Sequence, residues 1–212
     1  MSSVTRKPRS VRSRRREEIR DQMLAAAERL LAEGGSLTHL PMGRLTAAAE
    51  VPRSTFYLHF EDKSRLFSAW LEEIAGRLET VGEQWWRLDG DSGRDDVRAA
   101  LASLVSAYRP HAVLMRELYA AATYDPVLRE QVDGVTFRNI HGLQRHIVVG
   151  QREGWVCPEL PAEETAGWLM CMAARGQHKL VAGSSDSCVD ELITGLADIV
   201  WYTLYAYAPV RT

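Results

Sequence analysis

The amino-acid sequence predicts an all-α protein in two parts: a small three-helix unit at the N-terminus and a larger helical bundle behind it. Three observations carry this. Apolar residues recur at three- and four-residue steps along most of the chain, which is the repeat of one buried helical face. No segment alternates apolar and polar residues as a half-buried strand would. The breaks in periodicity fall on Gly, Pro and Asp at positions that start or stop helices, such as Gly34–Gly35, Asp125–Pro126 and Gly154. With 212 residues, 46% of them hydrophobic and 25% charged, the chain can bury a substantial core and has the composition of a soluble protein of one or two domains.

Residues 1–13 hold too few apolar groups to fold and are expected to form a flexible arm. Arg6, Lys7, Arg9 and Arg12, with Arg14, Arg15 and Arg16 beyond, make it cationic. Such an arm either neutralises phosphates and enters a minor groove or is simply a solvated tail. A first helix is expected from about Arg14 to Ala32. Its apolar stripe is Ile19, Met23, Ala26, Ala27, Leu30 and Leu31, and Gly34–Gly35 end it. Leu40, Met42 and Leu45 follow as the rest of a small core.

The stretch around which this unit is organised is Val51–Phe60, VPRSTFYLHF, preceded by the Ala-rich helical segment Leu45–Ala49. Phe56 and Phe60 are four residues apart, so their rings share one helical face and can bury together. Arg53, Ser54, Thr55, Tyr57 and His59 occupy the rest of the helix, and each can hydrogen-bond to phosphates or base edges. Two short helices joined by a turn, the second polar on its outer face, make a helix-turn-helix. Arg44 and Thr46 on the first of these helices and Lys63 beyond the second complete the candidate DNA-contacting set. Charge supports the same end of the chain. Residues 1–65 hold 13 Lys and Arg against 8 Asp and Glu, whereas the remainder holds 13 against 20. A basic head on an acidic body suits a protein that meets DNA with one end only.

Leu45, Ala49, Val51, Arg53, Thr55, Phe56, Tyr57, His59, Phe60, Lys63 and Leu66 keep the spacing of a known signature. The run resembles the DNA-binding domain of the TetR/AcrR family of transcriptional regulators, with the likeness covering about Ile19–Phe67. The resemblance implies a homodimer on double-stranded operator DNA, with the Tyr57 hydroxyl meeting a phosphate. Two residues depart from the family pattern. Glu50 stands where the turn has Gly, so a residue with a Cβ is expected to take left-handed torsions. Pro41 stands where Ser or Thr caps the first helix of the pair; Pro suits a first turn but supplies no side-chain cap.

Glu61–Asp62 put negative charge at the start of a long helix reaching about Trp86, with the stripe Leu66, Phe67, Trp70, Leu71, Ile74, Leu78, Val81 and Trp85. Its early part belongs to the DNA-binding core and its late part to the bundle, which makes it the mechanical connector. The domains are therefore expected at 1–68 and 69–212. After the loop Asp89–Arg94, helices are expected over Asp95–Tyr108, from Pro110, from Asp125–Pro126 to about Glu153, over about Pro161–Val181, and over Cys188–Tyr207 past the polar loop Gly183–Ser187.

This second half resembles, more loosely, the EthR-type branch of the family, through its helix order and the segment from Trp168 through Arg175 to Gly183. The resemblance implies an apolar effector tunnel among the middle helices and a dimer seam on the last two. Leu104, Tyr108, Met115, Tyr119, Phe137, Ile140, Leu143, Met170 and Ala173 are the candidate ligand-binding residues, each of which also reads as ordinary core. Met170 and Ala173 fall where the branch carries ligand-facing Asn, which favours a greasier ligand. Trp168, Leu192, Leu196, Ile199 and Trp201 are candidates for the dimer interface, though periodicity alone does not separate core from seam.

No glycine-rich phosphate loop or Gly-x-Ser-x-Gly elbow is present, and no catalytic or cofactor site is expected. His141 and His146 lie five residues apart, on different helical faces, so no shared metal is expected. Cys157, Cys171 and Cys188 have no metal-ligand spacing and fit free thiols in a reducing, cytoplasmic setting. The Arg-rich N-terminus lacks the apolar core of a secretory signal, and no apolar run approaches a membrane span. The expected function is a ligand-responsive transcriptional regulator, a repressor released from a palindromic operator by a small hydrophobic molecule. An activator of the same family, or a helical enzyme or carrier that binds nucleic acid incidentally, is the alternative.

Overall fold

The computed structural model describes residues 11–206 with the exception of residue 182. Among these the chain is helical without strands: α1 (Val11–Ala32), α2 (Met42–Ala48), α3 (Arg53–His59), α4 (Lys63–Trp86), α5 (Arg94–Tyr108), α6 (Ala112–Ala121), α7 (Pro126–Glu153), α8 (Ala162–Gly176) and α9 (Asp186–Leu204). A 3-10 turn, Arg109–His111, joins α5 to α6, and a π-helical turn, Gln177–Val181, extends α8.

Most boundaries have a visible chemical cause. Gly34 ends α1 at φ +89°, and Gly154 ends α7 in the left-handed conformation at φ 82°. The Asp62 carboxylate accepts from the Arg65 N–H at 2.8 Å and caps α4. Asp125 does the same for α7, taking the N–H groups of Val127 and Leu128 at 3.0 and 3.1 Å, with Pro126 at the first helical position. Gly150 lets the α7 terminus close onto the next segment, because a Cβ there would lie 2.4 Å from the Val156 side chain and 2.5 Å from the Trp155 ring.

Four boundaries differ from the sequence expectation. Helix α1 already runs at Val11, so Arg12 belongs to a helix rather than an arm; the Arg-rich turn has good helix propensity but no apolar stripe to announce it. The arm residues 1–10 lie outside the described residues. Pro110 does not open a helix but sits inside the 3-10 turn. The α8 helix gives way to π geometry after Gly176, and α9 starts at Asp186 because Ser185 Oγ caps it by accepting from Cys188 N. The expected last position of α9, Tyr207, lies outside the described residues.

Two apolar clusters run through the molecule. The lower one joins Ile19, Met23, Phe56, Phe60, Trp70 and Ile74 to Leu114, Met115 and Leu118 of α6. The upper one joins Trp85, Leu101, Leu143, Ile147 and Leu169 to Ile193 and Val200 of α9. Helix α4 supplies both, the lower from its first half and the upper from its last turn. The small α1–α3 unit is thus continuous in packing with α6, as well as with α4. The Trp70 indole N–H donates to the Arg20 carbonyl at 3.1 Å, and Arg20 pairs with Glu73 at 2.9 Å, tying α1 to α4. No helix among the described residues is long and apolar enough to cross a membrane.

Candidate nucleic-acid interface and interior cavity

The turn between α2 and α3 is closed by the Val51 N–H on the Thr46 carbonyl at 3.0 Å, with Val51 buried. Closing it forces Glu50 to φ 56°, the left-handed region that a Cβ disfavours. Pro41 precedes α2 and makes no side-chain cap. The Phe56 and Phe60 rings are buried and stacked, with centroids 5.6 Å apart and planes 17° from parallel. That pairing fixes which side of α3 faces outward. Arg53, Ser54 and Tyr57 are exposed, and Thr55 and His59 are half-buried. The Arg53 guanidinium lies 5.7 Å from the Tyr57 ring centroid, which holds both side chains over the same outer face. Leu58, which sequence reasoning missed, is 69% exposed on that face. An exposed leucine on a recognition helix suits the thymine methyl group.

Of the remaining candidates, Arg44 stands exposed on α2. Thr46 is a correction: it is buried, and its hydroxyl donates back to the Met42 and Gly43 carbonyls at 2.9 and 3.2 Å, so it braces the turn instead of facing out. Lys63 is partly buried. Its ammonium donates to the Leu37 and Leu40 carbonyls at 2.5 and 3.0 Å, and burial lowers its pKa from the ordinary lysine value. In this state it positions the α1–α2 loop.

Residues 23–70 match the profile of the tetR family, described as bacterial regulatory proteins. The α1–α4 helix-turn-helix unit is a tetR-family domain. The HTH-type transcriptional regulator EthR of Mycolicibacterium smegmatis is 22% identical over 215 residues, covering 100% of this chain and 98% of the relative. Two crystal structures described as putative TetR-family regulators share its fold. One, from Rhodococcus sp., has a TM-score of 0.64 at 23% identity, covering 87% of this chain and 98% of the other. The second, from Syntrophomonas wolfei, has a TM-score of 0.70 at 16% identity, covering 90% and 98%.

Inside the helical bundle, α4, α5, α6, α7 and α8 border a partly open cavity of about 820 Å³. Leu104, Met115, Tyr119, Met170 and Ala173, all expected from the sequence, are on its wall, and Phe137 is at its edge, 63% exposed. Tyr108, Ile140 and Leu143 are corrections, since none of the three lines the cavity. Tyr108 and Leu143 are fully packed in the two cores and Ile140 leans on the upper one, because each points off the face its neighbours share. Trp86, a further pocket candidate of the sequence, is on the wall as well. Sequence reasoning missed Gly82, Trp85, Gln177 and His178 on the wall, and the charged Glu79, Glu83, Arg138 and Arg145 toward its rim. Gln177 and His178 reach it because the π turn rotates them relative to a continuing α-helix, a change invisible to 3.6-residue periodicity.

The His178 Nδ1 is 2.5 Å from the Tyr108 hydroxyl, and its ring centroid is 4.2 Å from that of Tyr119. Burial lowers the His178 pKa to about 4, with Arg175 adding to the effect, and raises that of the Tyr108 phenol. Higher in the bundle, Trp85 Nε1 donates to the Tyr205 hydroxyl at 3.1 Å, and that hydroxyl sits 2.8 Å from His146 Nε2. Burial lowers the His146 pKa to about 4 as well.

The dimer candidates separate into two groups. Trp168 is 80% exposed on α8 and Ile199 is exposed on α9. Leu192, Leu196 and Trp201 are half-buried against the upper core, and Leu196 also reaches the cavity. Met172, Leu180 and Tyr202, not singled out from the sequence, are exposed apolar residues on the same two elements and the π turn.

Proposed function

We propose that this chain is a transcriptional regulator of the tetR family, a ligand-responsive repressor, cytoplasmic and homodimeric, released from a palindromic operator by a small hydrophobic molecule. The observation that carries the reading is the 820 Å³ cavity bounded by α4, the helix whose opposite end braces the helix-turn-helix through Lys63. Arg44, Arg53, Ser54, Thr55, Tyr57, Leu58 and His59 meet DNA. The exposed α8 and α9 residues Trp168, Met172, Ile199 and Tyr202 form the seam between subunits; solvated singly, so many large apolar groups on two adjacent helices are costly. Two recognition helices then reach successive major grooves about 34 Å apart. A molecule that fills the cavity in only one arrangement of α4 and α6 shifts the dimer toward that arrangement in proportion to its preference, and with no preference it shifts nothing.

The test is fluorescence anisotropy of labelled DNA flanking the protein's own gene, titrated with the dimer at fixed salt and then with a library of apolar molecules. Saturable binding reversed by a library member is expected. Binding that no cavity-sized molecule reverses would overturn the ligand-responsive part, and a monomer in sedimentation would overturn the seam.

A further inference from the structure

Among the described residues of the cavity wall, one fully buried side-chain polar atom lacks a hydrogen-bond partner. His178 is 9% exposed, its ring is part of the wall, and its Nε2 is buried with no hydrogen-bond partner among the described residues. An orphaned ring nitrogen costs the folded protein about 1–3 kcal/mol, so a partner for it is worth a comparable amount.

Which partner is decided by Tyr108, 70 residues earlier in the chain. Its phenol is 1% exposed, and its hydroxyl has His178 Nδ1 as its hydrogen-bond partner among the described residues. A buried phenol keeps its proton and must place it on an acceptor, and the acceptor in reach is Nδ1. With Nδ1 occupied as an acceptor, a neutral imidazole carries its own proton on Nε2. The orphaned group is therefore an N–H donor. The Tyr119 ring lies 4.2 Å from that of His178, and Met115, Met170, Ala173, Trp85 and Trp86 give the same wall large apolar stretches, while the charged groups that line it, Glu79, Glu83, Arg138 and Arg145, stand on α4 and α7.

Resting on the ligand-responsive reading above, we propose that His178 Nε2–H anchors the effector by donating a hydrogen bond to an uncharged acceptor oxygen, such as a carbonyl, on an otherwise apolar molecule, with Tyr108 holding the imidazole in the tautomer that donates. A protonated amine at this point sets donor against donor and is rejected. A plain hydrocarbon of the same shape fills the space and leaves the N–H unpaired. This is the asymmetry by which a buried polar group discriminates more sharply than an apolar pocket does.

The experiment compares dodecan-2-one with 2-methyldodec-1-ene, in which a methylidene group replaces the carbonyl at nearly constant shape, by quenching of tryptophan fluorescence on the full-length dimer. Wild type is expected to bind the ketone about tenfold more tightly, as one hydrogen bond to a buried donor implies. His178→Phe should bind the two equally, with thermal melting confirming that it folds. Tyr108→Phe leaves His178 in place but frees its tautomer, so the preference should shrink. Selective ¹⁵N labelling of histidine reads the tautomer directly in the wild type. Equal binding of both probes by wild type, a ketone preference that survives His178→Phe, or an Nδ1-protonated His178 would each overturn the anchor while leaving the cavity's role intact. Failure of both probes to bind would overturn the ligand-responsive reading and the anchor with it.

Discussion

Glu117 of α6 holds Leu37 of the α1–α2 loop: its carboxylate accepts the Leu37 N–H at 3.1 Å and the Ser36 hydroxyl at 2.8 Å. The Leu37 carbonyl is held from the other side by Lys63 of α4. One loop residue thus joins the helix-turn-helix unit to two helices that also line the cavity, since Met115 and Tyr119 lie within one turn of Glu117 on α6. A second link between the same parts is the Glu28 carboxylate on His111 Nδ1 at 2.7 Å. The physical content of any coupling between cavity and DNA surface must pass through contacts of this kind or through α4.

Glu117→Ala is accordingly expected to destabilise the fold by about 1.5–3 kcal/mol, because it strips a half-buried loop N–H of a charged acceptor. At temperatures where the variant stays folded, an effector should release DNA less completely than in wild type. Denaturant melts and the effector-dependent anisotropy change check the two parts. Undiminished release by the effector would show that α6 does not carry the signal through this contact.

A smaller change tests the turn. Glu50 is exposed and sits at φ 56°. A Cβ in that region costs roughly 1–2 kcal/mol, and glycine's extra unfolded-state entropy takes back about 0.5–1 of it. Glu50→Gly should therefore stabilise the protein, by up to about 1.5 kcal/mol, read as a higher denaturant midpoint at unchanged slope. A lower midpoint would mean that the Glu50 side chain makes a contribution its exposure does not suggest.

Operator recognition is tested by Arg53→Ala and Tyr57→Phe. Both side chains are exposed on the outer face of α3, opposite the stacked Phe56 and Phe60, so neither change should unfold the domain. Arg53→Ala is expected to weaken operator binding by about 1–3 kcal/mol and to relax specificity at one base position. Tyr57→Phe removes a hydroxyl suited to a phosphate and should weaken specific and non-specific DNA alike. Wild-type affinity in both variants at fixed salt would remove α3 from the interface.

How far the molecule could be read from its sequence depended on whether the relevant contact was local. The Phe56–Phe60 stack follows from a four-residue spacing, and the α7 cap follows from Asp125–Pro126; both are present. Glu50's torsion followed from a missing glycine in a resembled turn. The misreadings share a different cause. Thr46 looks like a surface residue, but its hydroxyl turns inward to its own helix. Tyr108 was grouped with the cavity by its aromatic character, yet its ring is core and only its partner His178 reaches the wall. That partnership spans 70 residues and depends on a π turn, and neither leaves a periodic trace.

The two buried histidines make acid stability informative. In the folded protein the pKa of each is lowered to about 4, against 6.5 for an unperturbed histidine. As pH falls from 6.5 the unfolded chain takes up the protons first, so the stability these groups contribute is complete above about pH 6.5 and is lost as pH falls toward 4. Each contributes roughly 3 kcal/mol at most. Chemical melts of wild type and of a His146→Gln, His178→Gln double variant across that window should show a markedly shallower decline in the variant. Parallel declines would mean that carboxylates dominate the acid limb.

The cavity itself is tested by filling it. Leu104 lies on the cavity wall. A Cβ added at Gly82 of α4 would meet its Cδ2 at 3.6 Å, an ordinary contact, so α5 and α4 touch on that side and the void lies on the other side of Leu104, the one that lines the cavity. Leu143 provides the contrast, because it is fully buried in the upper core and off the cavity. Leu104→Trp should leave thermal stability unchanged or raised, since the added ring occupies a void, and Leu143→Trp should cost about 1–3 kcal/mol or more by overpacking. If an occupied cavity favours the DNA-released arrangement, Leu104→Trp should also bind operator more weakly and respond less to apolar effectors. Equal destabilisation by the two substitutions would show that no usable void exists beside Leu104. A stable Leu104→Trp protein with full operator affinity and full effector response would separate the cavity from the switch.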